Sequence, residues 1–410
     1  MSNLKQDFPI FKNNPWMIYM DSTATSQKPS FVIDAMKQYL ETDYSNIHRW
    51  SYSIAENSEK MYKKSKEVVA ENIWADSWKE VIYSFNSTYA SNLFISSLNR
   101  SKYFSAWDKV LVSIVEHHAN IVPWLILKEE MWLEVEYIKV KEDFSLDYDD
   151  LESKMDSKVK AVSITHVSNV TWEVFDLKKV NKIIEGISEK NGTKKPLFIV
   201  DASQSIPHFK VDVKEIWCDA MFFTGHKIMA DSGIWVLWGK KELLESLKPA
   251  FSWGWAISWV KQDCFKEAPL PDRFEPGTPN LTGAVSLLKA FEYIDTIWWY
   301  DTIEKIEEVL INYTVDKFLN TPWVKLIWWL NKKSRVSVFS FSVEWIHSTD
   351  IADFMADNNI CIRAGQHCAE PFMGELWINH SCRMSLYIYN SSEEVDKFFD
   401  VLEEAIKILR

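Results

Sequence analysis

The sequence predicts an α/β protein with a mostly parallel central sheet, followed by a smaller α+β domain. Three observations predict it. Short apolar runs of strand length alternate with segments whose apolar residues recur at helical spacing. The runs are rich in Val, Ile, Leu and Phe, as strands covered on both faces must be. Polar residues then follow the runs, at the carboxyl ends where open α/β sheets bind ligands.

In chain order, SFVIDAMKQYLETDY and ENSEKMYKKSKEVVAENI read as amphipathic helices, and EVIYSF as a strand ending in the polar NSTYASN. SNLFISSLN resumes helical character, so this strand end presents small hydroxyls at a helix start, a candidate phosphate site. The alternation continues through KVLVSIV, a helix over NIVPWLILKEEM, then EVEYIKV and VKAVSITHVS. It closes with a helix near DLKKVNKIIEGISEK and the runs PLFIVDASQS, DAMFFTGHK and GIWVLWG, the last read as a tight hairpin with Trp235 and Trp238 at its turn. The Pro/Gly-rich DRFEPGTPNLTG marks a change of composition. Beyond it lie two long helical patterns, an alternating strand at SRVSVFSFSV, and a C-terminal amphipathic helix opened by a Ser391-x-x-Glu394 cap. Residues 22–285 are expected to form the large domain, and 1–21 with 286–410 the small one.

At 410 residues the chain can bury a large core, and its 47% hydrophobic and 25% charged residues are ordinary for a globular protein. A net charge of −12 without a basic cluster argues against nucleic acid as a partner. MSNLKQDFPIFKNN lacks the apolar segment of a secretory signal, and no apolar run reaches the ~18 residues a membrane span needs. Five cysteines without CxxC spacing predict neither a disulfide framework nor a zinc site. A cytoplasmic protein with no metal, no membrane and no nucleic acid is expected.

Glycine and tryptophan are the anomaly. A chain of this length ordinarily carries about 29 glycines; this one has 10, and 21 tryptophans. Several tryptophans stand in turn contexts, at WAD (74–76), AWDK (106–109) and SNVTWEV (168–174), and as pairs at 298–299 and 328–329. Turns with φ > 0 suit glycine, which has no Cβ to clash.

Five strand ends gather polar residues: Ser87 and Thr88; Glu116-His117-His118; His166, Ser168 and Asn169; Asp201 with Gln204; and Thr224-Gly225-His226-Lys227. Singly, each reads as a cap, a satisfied histidine or a surface charge. Jointly, a lysine able to form a Schiff base, a carboxylate for a pyridinium nitrogen, an aromatic ring and hydroxyls for a phosphate describe a pyridoxal phosphate site.

The strings EHHANIVPW, SITHVSNVTW, VDASQS, TGHK, RFEPGTPN, RAGQHCAEP and CRMSLYIYN, in this order, resemble the SUF-type cysteine desulfurases of the class V aminotransferase family. The resemblance runs from DFPIF at 7–11 to the C-terminal helix. It implies the aspartate aminotransferase-like fold of type I and pyridoxal 5'-phosphate as cofactor. It makes Lys227 the Schiff-base lysine, Asp201 the partner of the ring nitrogen and His117 the stacking group. Gln204 and Asn169 would meet the phenolic oxygen side, and Thr88, Ser87, Ser203, Thr224 and His226 the phosphate. Thr278 would reach the phosphate of a second subunit, implying a homodimer. Cys368 would be the nucleophile that takes sulfur from L-cysteine as a persulfide, leaving alanine. Arg383 would hold the substrate carboxylate, with Arg363 beside it and His48 and Arg49 at the entrance. The compact RAGQHCAEP loop is similar to the group with a short catalytic loop, which implies a separate sulfur-acceptor protein and an iron–sulfur scaffold. The other four cysteines read as packing residues.

The chain departs from that family at its tryptophans. Trp50, Trp172, Trp235, Trp253 and Trp255 stand where the family has glycine, whereas Trp124 is a family tryptophan. A UGA codon read as glycine in the source and rendered here as tryptophan would produce this pattern. Phe85 and Tyr89 also replace a usual Arg and Glu, and Ala230-Asp231 a Gly-Pro. Rival readings are a selenocysteine lyase, another class V aminotransferase-family enzyme, and a cofactor-binding scaffold without turnover.

Overall fold

The computed structural model describes residues 4–48, 51–327 and 335–410. Its central layer is a seven-stranded sheet. In chain order the strands are β1 (Val81–Ser84), β2 (Lys109–Ser113), β3 (Glu134–Ile138), β4 (Val159–Thr165), β5 (Leu197–Asp201), β6 (Ala220–Thr224) and β7 (Trp235–Gly239). They are arranged β1-β7-β6-β5-β4-β2-β3. Only β7 runs against its neighbours, β1 and β6. Apolar side chains of the strands enter two clusters, as expected for a sheet covered on both faces.

The predicted hairpin over GIWVLWG is thereby corrected. Trp235 and Trp238 lie inside β7, in register with Thr224 and Met221 of β6, and neither has a positive φ. Extended backbone accepts an indole, and Trp238 Nε1 donates to Glu80 Oε2 at 3.2 Å.

Helices Ser30–Thr42, Ser53–Asn72, Ser87–Arg100, Val122–Met131 and Leu177–Asn191 stand where the periodicity places them. After the cis Leu270–Pro271 bond come helices Leu281–Thr296 and Tyr300–Asn320. A second, antiparallel sheet follows, with strands ordered Val324–Leu326, Val338–Val343, Ser381–Ser385 and Arg363–Gly365. Only Val338–Val343 alternates clearly enough to be read from sequence; the others are only three to five residues long. The closing helix, Ser392–Leu409, carries the predicted capping box of Ser391 and Glu394. An exposed hairpin, Ile257–Val260 with Phe265–Glu267, was not foreseen. Cys264 in its turn is exposed, so the packing role expected for that cysteine does not hold; Cys218 and Cys382 are buried.

Backbone dihedrals bear on the tryptophan anomaly. Among the described residues, eleven of the eighteen non-glycine residues with φ > 0 are tryptophans, Trp172, Trp255 and the adjacent Trp298 and Trp299 among them. A side chain in that region costs on the order of 1–3 kcal/mol. Trp172 is also buried, and among the described residues its indole N–H has no partner, as is true of Trp124. Trp124 sits in a helix with ordinary dihedrals. Trp50, Trp328 and Trp329 lie outside the described residues.

Candidate active site

A cavity of about 210 Å³ opens at the carboxyl ends of β2, β4, β5 and β6. Lys227, Asp201, His117, Gln204, Asn169, Ser203, His226 and Thr88 line it, and so do Cys368, Arg383 and Arg363 from the second sheet and its loops.

Each group is placed by a strand end. Asp201 ends β5, buried, and its Oδ1 accepts from the Ser203 N–H at 2.9 Å. Burial raises its carboxyl pKa, while Ser203 and Lys227 oppose that rise. Lys227 follows β6 through Gly225, where a Cβ would lie 2.8 Å from Ile234 Cγ2 and from its carbonyl oxygen. Only glycine fits that approach. Lys227 is lowered to about 8, chiefly by burial and further by Arg383 and Arg363, with Asp201 pulling the other way. The amine is therefore largely neutral above about pH 8, and if Lys227 acts as the base, kcat is expected to rise with pH on a limb centred near that value. A profile flat between pH 7 and 9 would exclude Lys227 as the base.

His117 follows β2, where its Nδ1 accepts from the Ala119 N–H at 3.1 Å, leaving the ring proton on Nε2. Burial and the nearby Lys227 lower it to about 3, so it meets the cavity as a neutral ring. Beneath it Glu116 is buried, accepting from Thr165 N at 2.7 Å, Asn120 Nδ2 at 2.8 Å and Ser113 Oγ. Burial outweighs these donors and raises its pKa to about 8. The folded chain then holds a proton that the unfolded chain releases near 4.5, so stability falls as pH rises from about 4.5 through 8. Glu116→Gln should flatten that slope, measurable as Tm against pH; an unchanged slope would refute the assignment.

Ser203 Oγ, Thr224 Oγ1 and Thr23 Oγ1 are buried without hydrogen-bond partners among the described residues. Ser203 and Thr23 line the cavity, and Thr224 immediately precedes the lysine loop. Orphaned hydroxyls beside a helix N-terminus, that of Ser87–Arg100, fit a phosphate. Asp201, His117 and Lys227 fit the ring and aldehyde of the same cofactor. Ser87 opens the helix; its side chain lies outside the described residues, as does Arg49.

The Cys368 loop docks on the His117 loop: His118 N donates to the Cys368 carbonyl at 3.0 Å, and Asn169 Nδ2 to that of His367 at 2.7 Å. His367 and Cys368 both have positive φ, 58° and 57°. Cys368 is exposed.

Two groups are not brought to this cavity. Thr278 lines a different one with Tyr62, Tyr83 and Glu275. His48 lines a third, of about 570 Å³, with Glu59 and Trp255, so it does not flank the cavity's entrance within one chain. The sequence reading missed Thr23 and Asn86, which line the cavity, and Asp21, which pairs with both arginines; His367, read only as a neighbour of Cys368, and Trp235, read as a turn residue away from the cofactor, line it as well. The polar run DSTATS after an apolar MIYM was the available signal for Asp21 and Thr23.

Residues 18–398 match the family model for class V aminotransferases. A Pyrococcus abyssi protein described as "Probable cysteine desulfurase" is 35% identical over 100% of this chain and 98% of its own. The chain belongs to the class V aminotransferase family and, within it, to the cysteine desulfurases. The apo cysteine desulfurase of Thermococcus onnurineus NA1 superposes with a TM-score of 0.91 at 33% identity, covering 98% of this chain and 97% of that one. The Escherichia coli cysteine desulfurase CsdA, solved as its S-sulfonic acid, gives 0.90 at 28%, covering 99% and 98%. Class V aminotransferase-family cysteine desulfurases use pyridoxal phosphate, and the residues around this cavity suit that cofactor.

Proposed function

We propose that this desulfurase takes sulfur from L-cysteine onto Cys368 and passes it to an acceptor protein of SUF-type iron–sulfur assembly. The observation that carries this reading is the meeting of Lys227, Asp201, His117, Arg383 and Cys368 in one cavity. Bound pyridoxal phosphate would supply a sink for the electron pair released at the substrate Cα. Lys227 would hold the cofactor and, once freed, take the Cα proton as a neutral amine. Asp201 would keep the ring nitrogen protonated, His117 would stack on the ring, and Asn169 and Gln204 would flank its phenolic oxygen. Ser203, Thr224, His226, Thr88 and Ser87 would hold the phosphate.

Arg383 and Arg363 would receive the substrate carboxylate. The Cys368 thiolate attacks the substrate sulfur; an S–S bond forms as the Cβ–S bond breaks. That bond's electron pair stays with the substrate carbon, which is protonated to give alanine. Arg383→Ala should raise KM for L-cysteine roughly 10–100-fold, the worth of a charge-assisted contact. An unchanged KM in steady-state kinetics would refute that role.

Thr278 stands away from its own chain's cavity, which supports its reaching the site of a second subunit in a homodimer. Residues 22–285 would form the large domain, and 1–21 with 286–410 the small one. The compact loop around Cys368 supports a short reach and hence a docking acceptor. The same reading takes the tryptophans at left-handed positions as glycines in the native chain, supported by their dihedrals. Mass spectrometry of peptides from the source cell tests this: glycine at 172 and 255 supports it, and tryptophan there refutes it. Comparing sulfide with selenide release separates cysteine from selenocysteine as substrate.

A further inference from the structure

Arg363 and Arg383 are direct cross-strand partners, a pairing in which like charges repel. One carboxylate lies between them. Asp21 Oδ1 is 3.4 Å from Arg383 Nη2, and Asp21 Oδ2 is 3.6 Å from Arg363 Nε. Asp21 is itself fixed by the main chain, bridging to Ser385 two residues beyond Arg383. The Tyr19 hydroxyl donates to its carbonyl oxygen at 3.3 Å.

Arg383 is 2% exposed; its Nη1 donates to the Asn169 carbonyl at 3.3 Å, and among the described residues its buried Nε has no partner. A guanidinium so placed needs a counter-charge, because an unpaired buried cation is costly. Burial lowers its pKa to about 10, with Asp21 opposing and Arg363 adding to the fall. Among the described residues that line the cavity, Lys227 is the other lysine or arginine, and Asp201 and Cys368 the other acidic groups.

We propose that Asp21 is a specificity-determining positioning residue: it offsets one of the two guanidinium charges, so that the cradle carries a net +1 matched to a single carboxylate. This rests on the reading of Arg383 and Arg363 as the carboxylate cradle. Two guanidiniums alone would favour dianions. With Asp21 between them, a monocarboxylate amino acid balances the charge, and dicarboxylate or sulfate competitors leave an excess.

The test uses the pyridoxal-phosphate-loaded enzyme, with sulfate as dianion and acetate as monoanion. Each is measured as a competitor of L-cysteine, and its binding is measured directly by calorimetry. Asp21→Asn should tighten sulfate about tenfold or more and acetate much less, because a charge beside both guanidiniums has been removed. The double variant Asp21→Asn with Arg363→Gln restores the charge sum and should return sulfate to the parental value. A sulfate affinity unmoved by Asp21→Asn overturns the proposal. If Asp21→Asn alone fails to fold or to hold cofactor, the double variant must recover both; its failure also overturns it. If neither anion competes with cysteine in the parent and Arg363→Gln leaves KM unchanged, it is the cradle reading that fails, a result distinct from either of these.

Discussion

Replacing Lys227 by alanine is expected to abolish turnover of L-cysteine, with a loss of roughly 10³-fold or more in kcat. On the proposed mechanism two roles would disappear together: the covalent hold on the cofactor and a general base, the latter alone worth about 10²–10⁴. The geometry explains why no neighbour substitutes. His117 is lowered to about 3, and His226 to about 3 by burial and by Lys227 itself. With Lys227 gone, one cause of the lowering is removed, but burial, the larger cause, still holds both rings below their ordinary value. The check is twofold: the cofactor absorption band of the lysine-linked form should vanish, and stopped-flow mixing with L-cysteine should show no proton abstraction. A Lys227→Ala enzyme retaining more than a tenth of parental kcat would remove Lys227 from the mechanism.

Cys368→Ser is the second large effect. The serine should leave cofactor binding intact, since the backbone groups that dock the loop, His118 N–H to the Cys368 carbonyl and Asn169 to the His367 carbonyl, do not involve the thiol. Sulfur transfer should fall roughly 10³-fold, because a serine hydroxyl is a far weaker nucleophile toward sulfur than a cysteine sulfur. Mass spectrometry after a single turnover should find one added sulfur atom on the parental peptide holding Cys368 and none on the variant. Sulfur found on Cys264, the other exposed cysteine, would reassign the acceptor. Cys218 and Cys382 are buried, and burial raises both thiols, so neither competes as a nucleophile.

Most of the central sheet was legible because buried parallel strands announce themselves as short apolar runs between amphipathic helices. The cofactor groups were legible for a related reason: each of Lys227, Asp201, His117 and Asn169 follows its strand within a few residues. Chain order and the α/β rule bring such positions to one edge of the sheet. The second sheet was mostly illegible. Strands such as Arg363–Gly365 are too short for periodicity, and only their pairing in space defines them. The turn expected at Trp235 and Trp238 failed because both lie in the second strand of an antiparallel pair, Ala220–Thr224 with Trp235–Gly239, whose connection runs through residues 225–234.

The sequence by itself pointed to Lys227, Asp201 and Cys368 through the order of its motifs and the family they resemble, and its local pattern determined the α/β order that carries the first two. It also showed too few glycines for so many turns. Tertiary structure alone decided which tryptophans occupy left-handed backbone, since φ depends on the chain's whole path. It alone placed Asp21 between Arg363 and Arg383, 342 and 362 residues away, because the balance of charge in a cavity is set by distance in space and not by separation along the chain.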